Sequence, residues 1–365
     1  MHVGTGLIFQ GTDRTRGDLE VYQNELRLGV LAEQLGFESI WGVEHHFTEY
    51  TMCPDVLQYL TYFAAKTETL QLGSMVVVLP WHDPLRVAEQ VTMLDNMSNG
   101  RLILGLGRGL GRVEFEGFGV DMNESREIFI ESAQMLLAAL ETGVAEFDGT
   151  HVKQARREIR PRPFKSFRDR TYAAAVSPES VEIMARLGVG ILIIPQKPWD
   201  VVADELATYR DVFRRVNRRE APAPIVGGWT FCDESAERAR EMAVRYIGGY
   251  WRTVIEHYEL KGEHLKHTKG YEAYGRLQDV VNSDGGADAA TEFFLGIQVW
   301  GTPEQCFERI MRIRSVTGMD AYNGIFSYAG MPWDDAERSM RLFAREVMPQ
   351  LKAVGPAELP LARPA

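Results

Sequence analysis

The segment QLGSMVVVLPWHDPLRVAEQVTMLDNMSNGRLILGLG, residues 71–107, decides the fold class. It opens with an apolar run from Gln71 to Leu79, turns into a stretch of helical periodicity from Pro84 to Met97, and returns to an apolar run from Leu102 to Leu106. Short apolar runs bounded by turn residues read as buried strands, and two of them joined through a helix read as a parallel β/α/β unit. Outward from this segment the alternation repeats. Strands are predicted at Gly4–Gln10, Ser39–Val43, Thr171–Val176, Gly190–Ile194, Ile225–Phe231 and Gly324–Tyr328. Helices are predicted at Leu19–Leu35, Asp55–Lys66, Glu124–Leu140, Pro178–Leu187, Trp199–Val216, Glu234–Thr253 and Asp334–Leu351. With the first segment this makes eight units, the count of a closed (β/α)8 TIM barrel. An open doubly wound sheet would carry a G-x-G-x-x-G turn after its first strand, whereas Gln10, Gly11 and Thr12 lead into a charged segment.

Two stretches interrupt the alternation inside what reads as one domain spanning residues 1–365. Residues 143–170 contain FDGTHV and the basic run RREIRPRPF, which suggest a hairpin followed by an extended connection. Residues 255–300, with KGEHLKHTKGYEAYG and NSDGGADAA, follow the seventh strand and read as a long irregular loop. Loops of that length in a compact domain serve as lids or are disordered.

Composition narrows the function. A formal net charge of −11 argues against general affinity for nucleic acid or an anionic membrane, so any anion must be held by local residues. Cys53, Cys232 and Cys306 lack metal-site or disulfide spacing, which fits a reducing cytoplasm and no structural metal. The amino-terminal MHVGTGLIFQ has no basic leader and reads as a strand, and no run approaches the roughly 20 apolar residues of a membrane span.

In a β/α barrel the residues just after each strand face the site. After the second strand stand Glu44, His45 and His46, offering imidazole for proton transfer, a structural carboxylate–imidazole pair, or a metal site. No companion acidic or histidine-rich stretch follows a comparable strand, which disfavours the metal. After the fourth strand comes Gly105-Leu106-Gly107-Arg108-Gly109-Leu110-Gly111, where glycines admit close backbone approach and Arg108 offers a planar fork to an anion. Arg126 lies near the start of the next helix, and Ser177 and Ser180 open the helix after the fifth strand. Two arginines, two hydroxyls and a helix start describe a phosphate clamp. Ser177 can also be a plain N-cap.

At EHHFTEY, HDPLRVAEQ, LDNMSNGR, GRGL, FGVDMNESR, TKGY, WGTPEQC and EVMPQLK the chain resembles the bacterial luciferase-like flavin-dependent monooxygenases, in order and over nearly its whole length. That resemblance implies a TIM barrel using reduced FMN, supplied by a separate flavin reductase, and O2. The two would react through a flavin C4a-hydroperoxide to oxygenate a small hydrophobic substrate such as a carbonyl compound. It assigns proton handling to His45 and cofactor contacts to Met75, Val76, Leu106, Arg108, Arg126, Val176, Ser177 and Ser180, with a non-prolyl cis peptide at Met75–Val76. It also implies a mobile lid over residues 255–295 and a dimer, here a homodimer. Gly107, Gly111 and Pro195 stand where luciferase has Cys, Tyr and Trp, which points to a reshaped substrate pocket. Two alternatives stay open: a deazaflavin-dependent hydride-transfer enzyme, and a non-catalytic flavin-binding subunit, from whose pattern His45 and the arginines depart.

Overall fold

The computed structural model describes residues 1–13, 15–174 and 177–355. Eight parallel strands run in chain order around a barrel: β1 (His2–Leu7), β2 (Ser39–Gly42), β3 (Gln71–Ser74), β4 (Leu102–Gly107), β5 (Thr171–Ala174), β6 (Gly190–Ile193), β7 (Ile225–Cys232) and β8 (Ala321–Ile325). Each strand pairs with the next, and β8 pairs back onto β1 with Gly4 opposite Asn323. This is the expected (β/α)8 barrel.

Eight helices return the chain along the outside: α1 (Asp18–Leu35), α2 (Val56–Lys66), α3 (Pro84–Met97), α4 (Ser125–Thr142), α5 (Pro178–Leu187), α6 (Trp199–Asn217), α7 (Pro303–Thr317) and α8 (Trp333–Leu342). The main core lies between the strands and these helices. Inside the barrel, Trp41, Met75, Leu192 and Ile225 form a second, smaller apolar cluster. Below it Ser39 Oγ accepts from Trp41 Nε1 and meets His2 Nε2, both at 2.8 Å, so polar side chains fill the N-terminal end of the barrel. Space for a ligand is left at the C-terminal mouth.

Several boundaries differ from the sequence reading, each for a packing reason. β1 and β8 each end three residues earlier than the apolar runs suggest, because Ile8, Phe9, Phe326 and Tyr328 are buried in the main core without belonging to the sheet. The run Gln71–Leu79 is broken at a cis Met75–Val76 peptide and resumes as a short strand, Val77–Val78, paired with β4. Residues 143–170 contain the anticipated hairpin, Val144–Asp148 with Lys153–Glu158, whose tip donates three backbone N–H groups to Glu131 on α4.

The larger difference follows β7. The helix anticipated there forms over Ala236–His257, with a π-helical turn at Ala243–Ile247, yet it opens an excursion instead of returning to the barrel. The excursion continues through helices His264–His267, Glu272–Asn282 and Gly286–Gly296. It ends in a strand, Val299–Gly301, that pairs with the C-terminal end of β7. Residues 255–300 are therefore largely helical, anchored by buried Leu260, Leu265, Tyr271, Val281 and Phe294. The return helix is α7, which the sequence reading missed although its start carries a capping box, Thr302 with Gln305, and Pro303 in the first turn.

One buried acid makes the fold sensitive to pH. Glu25 on α1 is fully enclosed, and burial pushes its carboxyl up to about 8 despite hydrogen bonds from the Ser327 side chain and the Ile8 backbone. An acid raised in the folded state keeps a proton that the unfolded chain has already lost. Glu25 therefore subtracts stability progressively as pH rises from the ordinary carboxylate range to about 8, and the loss is complete above that. Glu25→Gln is expected to unfold at a higher denaturant concentration than the parent. The difference should grow between about pH 5 and pH 8 to roughly 2–5 kcal/mol in chemical denaturation.

Candidate active site

The C-terminal mouth holds a cavity of about 150 Å³, lined from the ends of β2 to β6 and from the excursion after β7. Among the residues singled out by sequence, His45, Met75, Val76, Arg108, Arg126, Ser177 and Ser180 all line it. Leu106 does not: it is wholly buried in the core, because alternate residues of a barrel strand point outward against the helices. Val176 lies outside the described residues.

One side of the cavity is cationic. Arg108, just past β4, and Arg126, in the first turn of α4, both donate through Nη2 to the carbonyl oxygen of Gly270, at 2.7 and 3.2 Å. Arg108 also lies over the ring of Tyr271, 3.8 Å from its centroid, and that ring is held by Ser125 and the Gly109 carbonyl. Gly270 reaches the arginines with φ +83°, and a Cβ added there would fall 2.7 Å from Arg108 Nη1. Even so, Arg108 Nη1 and Arg126 Nε stay buried with no hydrogen-bond partner among the described residues. In the same cavity Ser177 caps α5 by accepting from the Ser180 N–H, and the two hydroxyls lie 2.8 Å apart. The same cavity thus holds guanidinium donors without a partner among the described residues, two hydroxyls and a helix start, groups that favour an anion.

The other side carries two buried carboxylates, each shared by two imidazoles. Glu44 accepts from Val78 N at 2.9 Å and meets His46 Nε2 at 3.1 Å and His82 Nε2 at 2.6 Å. Glu114, from the short helix Arg112–Phe118, accepts from His46 N and meets His45 Nδ1, both at 2.9 Å, with His257 Nε2 3.7 Å away. Burial alone would raise both acids. At Glu114 the His45 charge and hydrogen bond, with the His257 imidazole 3.7 Å away, outweigh it and bring the carboxyl to about 2. At Glu44, His46 and His82 likewise win over burial and hold the carboxyl below its ordinary value. Burial works against the charge on His82, but Glu44 raises its proton affinity overall, whereas burial keeps His257 below the usual imidazole range.

Within Glu44-His45-His46 the carboxylate thus pairs with the second histidine and not the first. His45 takes its partner from beyond β4, so a companion carboxylate does follow another strand, as one of two acids in GRVEFEGF. His45 Nδ1 is committed to Glu114, and its Nε2 lies 3.5 Å from the Tyr258 hydroxyl on the cavity wall. An imidazole held by one nitrogen can exchange a proton through the other. His45, Glu114 and His257 also gather ligand-type atoms within 4.8 Å of one another.

Sequence reasoning missed Glu114, His82, His257, Tyr258 and Gly270. His82 was legible as the histidine after the third strand, and Gly270 lies in the TKGY segment. His257 and Tyr258, at the end of a long helix after β7, carry no local signal.

A barrel mouth with a cationic wall on one side and a carboxylate-held imidazole on the other has the make-up of a β/α-barrel enzyme site. Residues 1–320 match the family described as luciferase-like monooxygenase, and the chain belongs to that family. It is 28% identical over 326 residues to the alkanal monooxygenase alpha chain of Aliivibrio fischeri, covering 87% of this chain and 90% of that one. The monooxygenase RslO1 of Streptomyces bottropensis superposes with a TM-score of 0.77 at 26% identity, over 96% of this chain and 99% of that chain. The oxygenating constituent of 3,6-diketocamphane monooxygenase from Pseudomonas putida, solved with FMN, shares the fold with a TM-score of 0.71 at 19% identity, over 97% and 100% of the two chains.

Gly111 makes the acidic side possible. A Cβ there would lie 2.4 Å from Glu114 Oε2 and 3.0 Å from His257 Nε2, while its φ of −69° suits any residue. Gly111→Ala is expected to cost about 1–3 kcal/mol by overpacking alone. Adding Glu114→Ala should abolish most of that increment in a double-mutant cycle of thermal unfolding.

Proposed function

We propose that the protein is a two-component, FMN-dependent monooxygenase that receives reduced FMN from a separate flavin reductase and oxygenates a small hydrophobic carbonyl compound with O2. The observation that carries this reading is the pair of buried guanidinium donors without a partner among the described residues, Arg108 Nη1 and Arg126 Nε, in the cavity that Ser177 and Ser180 also line. The residues present fit the group. Arg108, Arg126, Ser177 and Ser180 would hold the FMN phosphate, and Met75, Val76 and Gly107 would line its ring system. Reduced FMN, when bound, supplies the electrons that activate O2.

The protein's own part is to orient, to keep water out and to move a proton. His45, held through Nδ1, directs Nε2 at the cavity and would exchange the proton that the oxygen chemistry requires. Val78, Leu110, Ile183, Met184 and Ile194 make the remaining wall largely apolar, which favours an apolar substrate. A cavity of about 150 Å³ is small for a cofactor, since ligand pockets commonly span about 300–1,000 Å³. Admission therefore requires the Gly270–Tyr274 segment to yield, a lid role for part of the excursion. The Gly270 carbonyl holds the Nη2 donors of both arginines, which would turn to the phosphate when FMN is bound.

The phosphate is the part of FMN that riboflavin lacks, so the clamp can be tested alone. Arg108→Ala should weaken FMN binding about 10- to 100-fold in fluorescence titrations, the worth of a charge-assisted hydrogen bond, and change riboflavin binding less than about twofold. F420-dependent enzymes share the fold, so the deazaflavin coenzyme belongs in the same titrations. O2 uptake by protein with photoreduced FMN should couple to substrate oxygenation, and His45→Ala should divert that uptake to hydrogen peroxide. Tighter binding of the deazaflavin with hydride transfer in the absence of O2 would overturn the proposal.

A further inference from the structure

Glu114 is buried with a lopsided set of partners. Its Oε1 takes both the His45 Nδ1 and the His46 N–H, at 2.9 Å each, whereas its Oε2 has no hydrogen-bond partner among the described residues. His257 Nε2 is likewise buried without one, and the two orphan atoms face each other at 3.7 Å. An unsatisfied buried carboxylate oxygen and an unsatisfied buried imidazole nitrogen each cost free energy, and one hydrogen bond would relieve both. The missing Cβ at Gly111 leaves room for that approach.

The surroundings of His257 say which nitrogen carries the proton. The Thr48 hydroxyl accepts from Tyr50 N at 3.4 Å and lies 3.2 Å from His257 Nδ1. An ionised carboxylate oxygen can only accept, so the proton sits on Nε2, facing Glu114 Oε2, and Nδ1 is left to accept from the Thr48 hydroxyl. Tyr50 stacks on the His257 ring with centroids 4.3 Å apart and the planes 12° from parallel, fixing that orientation.

We infer that His257 is a positioning residue for His45, acting through Glu114. It supplies a donor to the free oxygen of the shared carboxylate, fixes the orientation of the group whose other oxygen His45 leans on, and so holds His45 in the tautomer with its proton on Nδ1 and an unprotonated Nε2 toward the cavity. The two histidines are then opposite tautomers across one carboxylate. This rests on His45 as the proton-handling group of the proposed monooxygenase, but its test needs neither flavin nor substrate.

Long-range ¹H–¹⁵N correlation of the full chain labelled with ¹⁵N-histidine, at about pH 8 where an ordinary imidazole is neutral, reads each tautomer directly. Peaks are assigned by loss in single variants. The expected spectrum has His45 protonated on Nδ1 and His257 on Nε2. His257→Gln, whose amide can replace the Nε2 donor, should keep the His45 pattern. His257→Phe, which keeps a ring against Tyr50 but no donor, should turn it into a tautomer mixture, with at least a tenfold fall in the tautomer ratio. An unchanged His45 pattern in His257→Phe, or a proton on His257 Nδ1 in the parent, would overturn the inference. The parent spectrum decides even if the phenylalanine variant does not fold. Equimolar Zn²⁺ should leave both histidines unmoved; a stoichiometric shift of both would replace the hydrogen-bonded unit by a metal centre and equally overturn it.

Discussion

The hydrogen bonding of β8 back onto β1 is the constraint on which the rest of the molecule depends. Closing a parallel sheet removes its edges and gathers the C-terminal ends of eight strands around one opening. Residues far apart in the chain meet there because of closure. Glu114 reaches His45 across 69 positions, and Arg108 reaches the Gly270 carbonyl across 162. Neither contact has a local cause. Both follow from parallel strands closed into a barrel and from loops that emerge at the same end.

A chain of net charge −11 keeps a cationic clamp by dividing the mouth electrically. On one wall the guanidinium groups face a backbone carbonyl and a helix start. On the other, two buried carboxylates are each matched by a pair of imidazoles, and those pairs outweigh the burial that would otherwise neutralise the acids. The apolar side chains between the walls lower the local dielectric, which strengthens each pairing and raises the cost of leaving a donor unused. Stability and site chemistry are coupled here: the groups that a ligand would contact are also those whose satisfaction holds the mouth loops in place.

Much of the fold was legible because periodicity is a local property. The alternation around residues 71–107 marks strand, helix and strand without reference to the rest of the chain, and the other strands follow it. What failed locally was the end of an element. Ile8, Phe9, Phe326 and Tyr328 lie past the strand ends and are apolar because the main core buries them, not because the sheet pairs them. Helix α7 shows the opposite failure, since its capping box was present but stood beside a long stretch already read as irregular. The excursion in turn looked loop-like because its helices are short, with glycines and charges between them, and are held mainly by tertiary burial of a few large side chains.

By itself the sequence determined the class of architecture, the family resemblance and the positions that face the mouth, among them His45, Arg108, Arg126, Ser177 and Ser180. These follow from residue type and from distance to the end of a strand, both of which a linear chain records. Only the tertiary structure decided the pairings. It put Glu44 with His46 and His82, gave His45 to Glu114, brought His257 to the same carboxylate and turned Leu106 into the core. The physical reason is that a hydrogen bond depends on the last few tenths of an ångström between atoms, and that distance is set by closure and packing instead of by spacing along the chain.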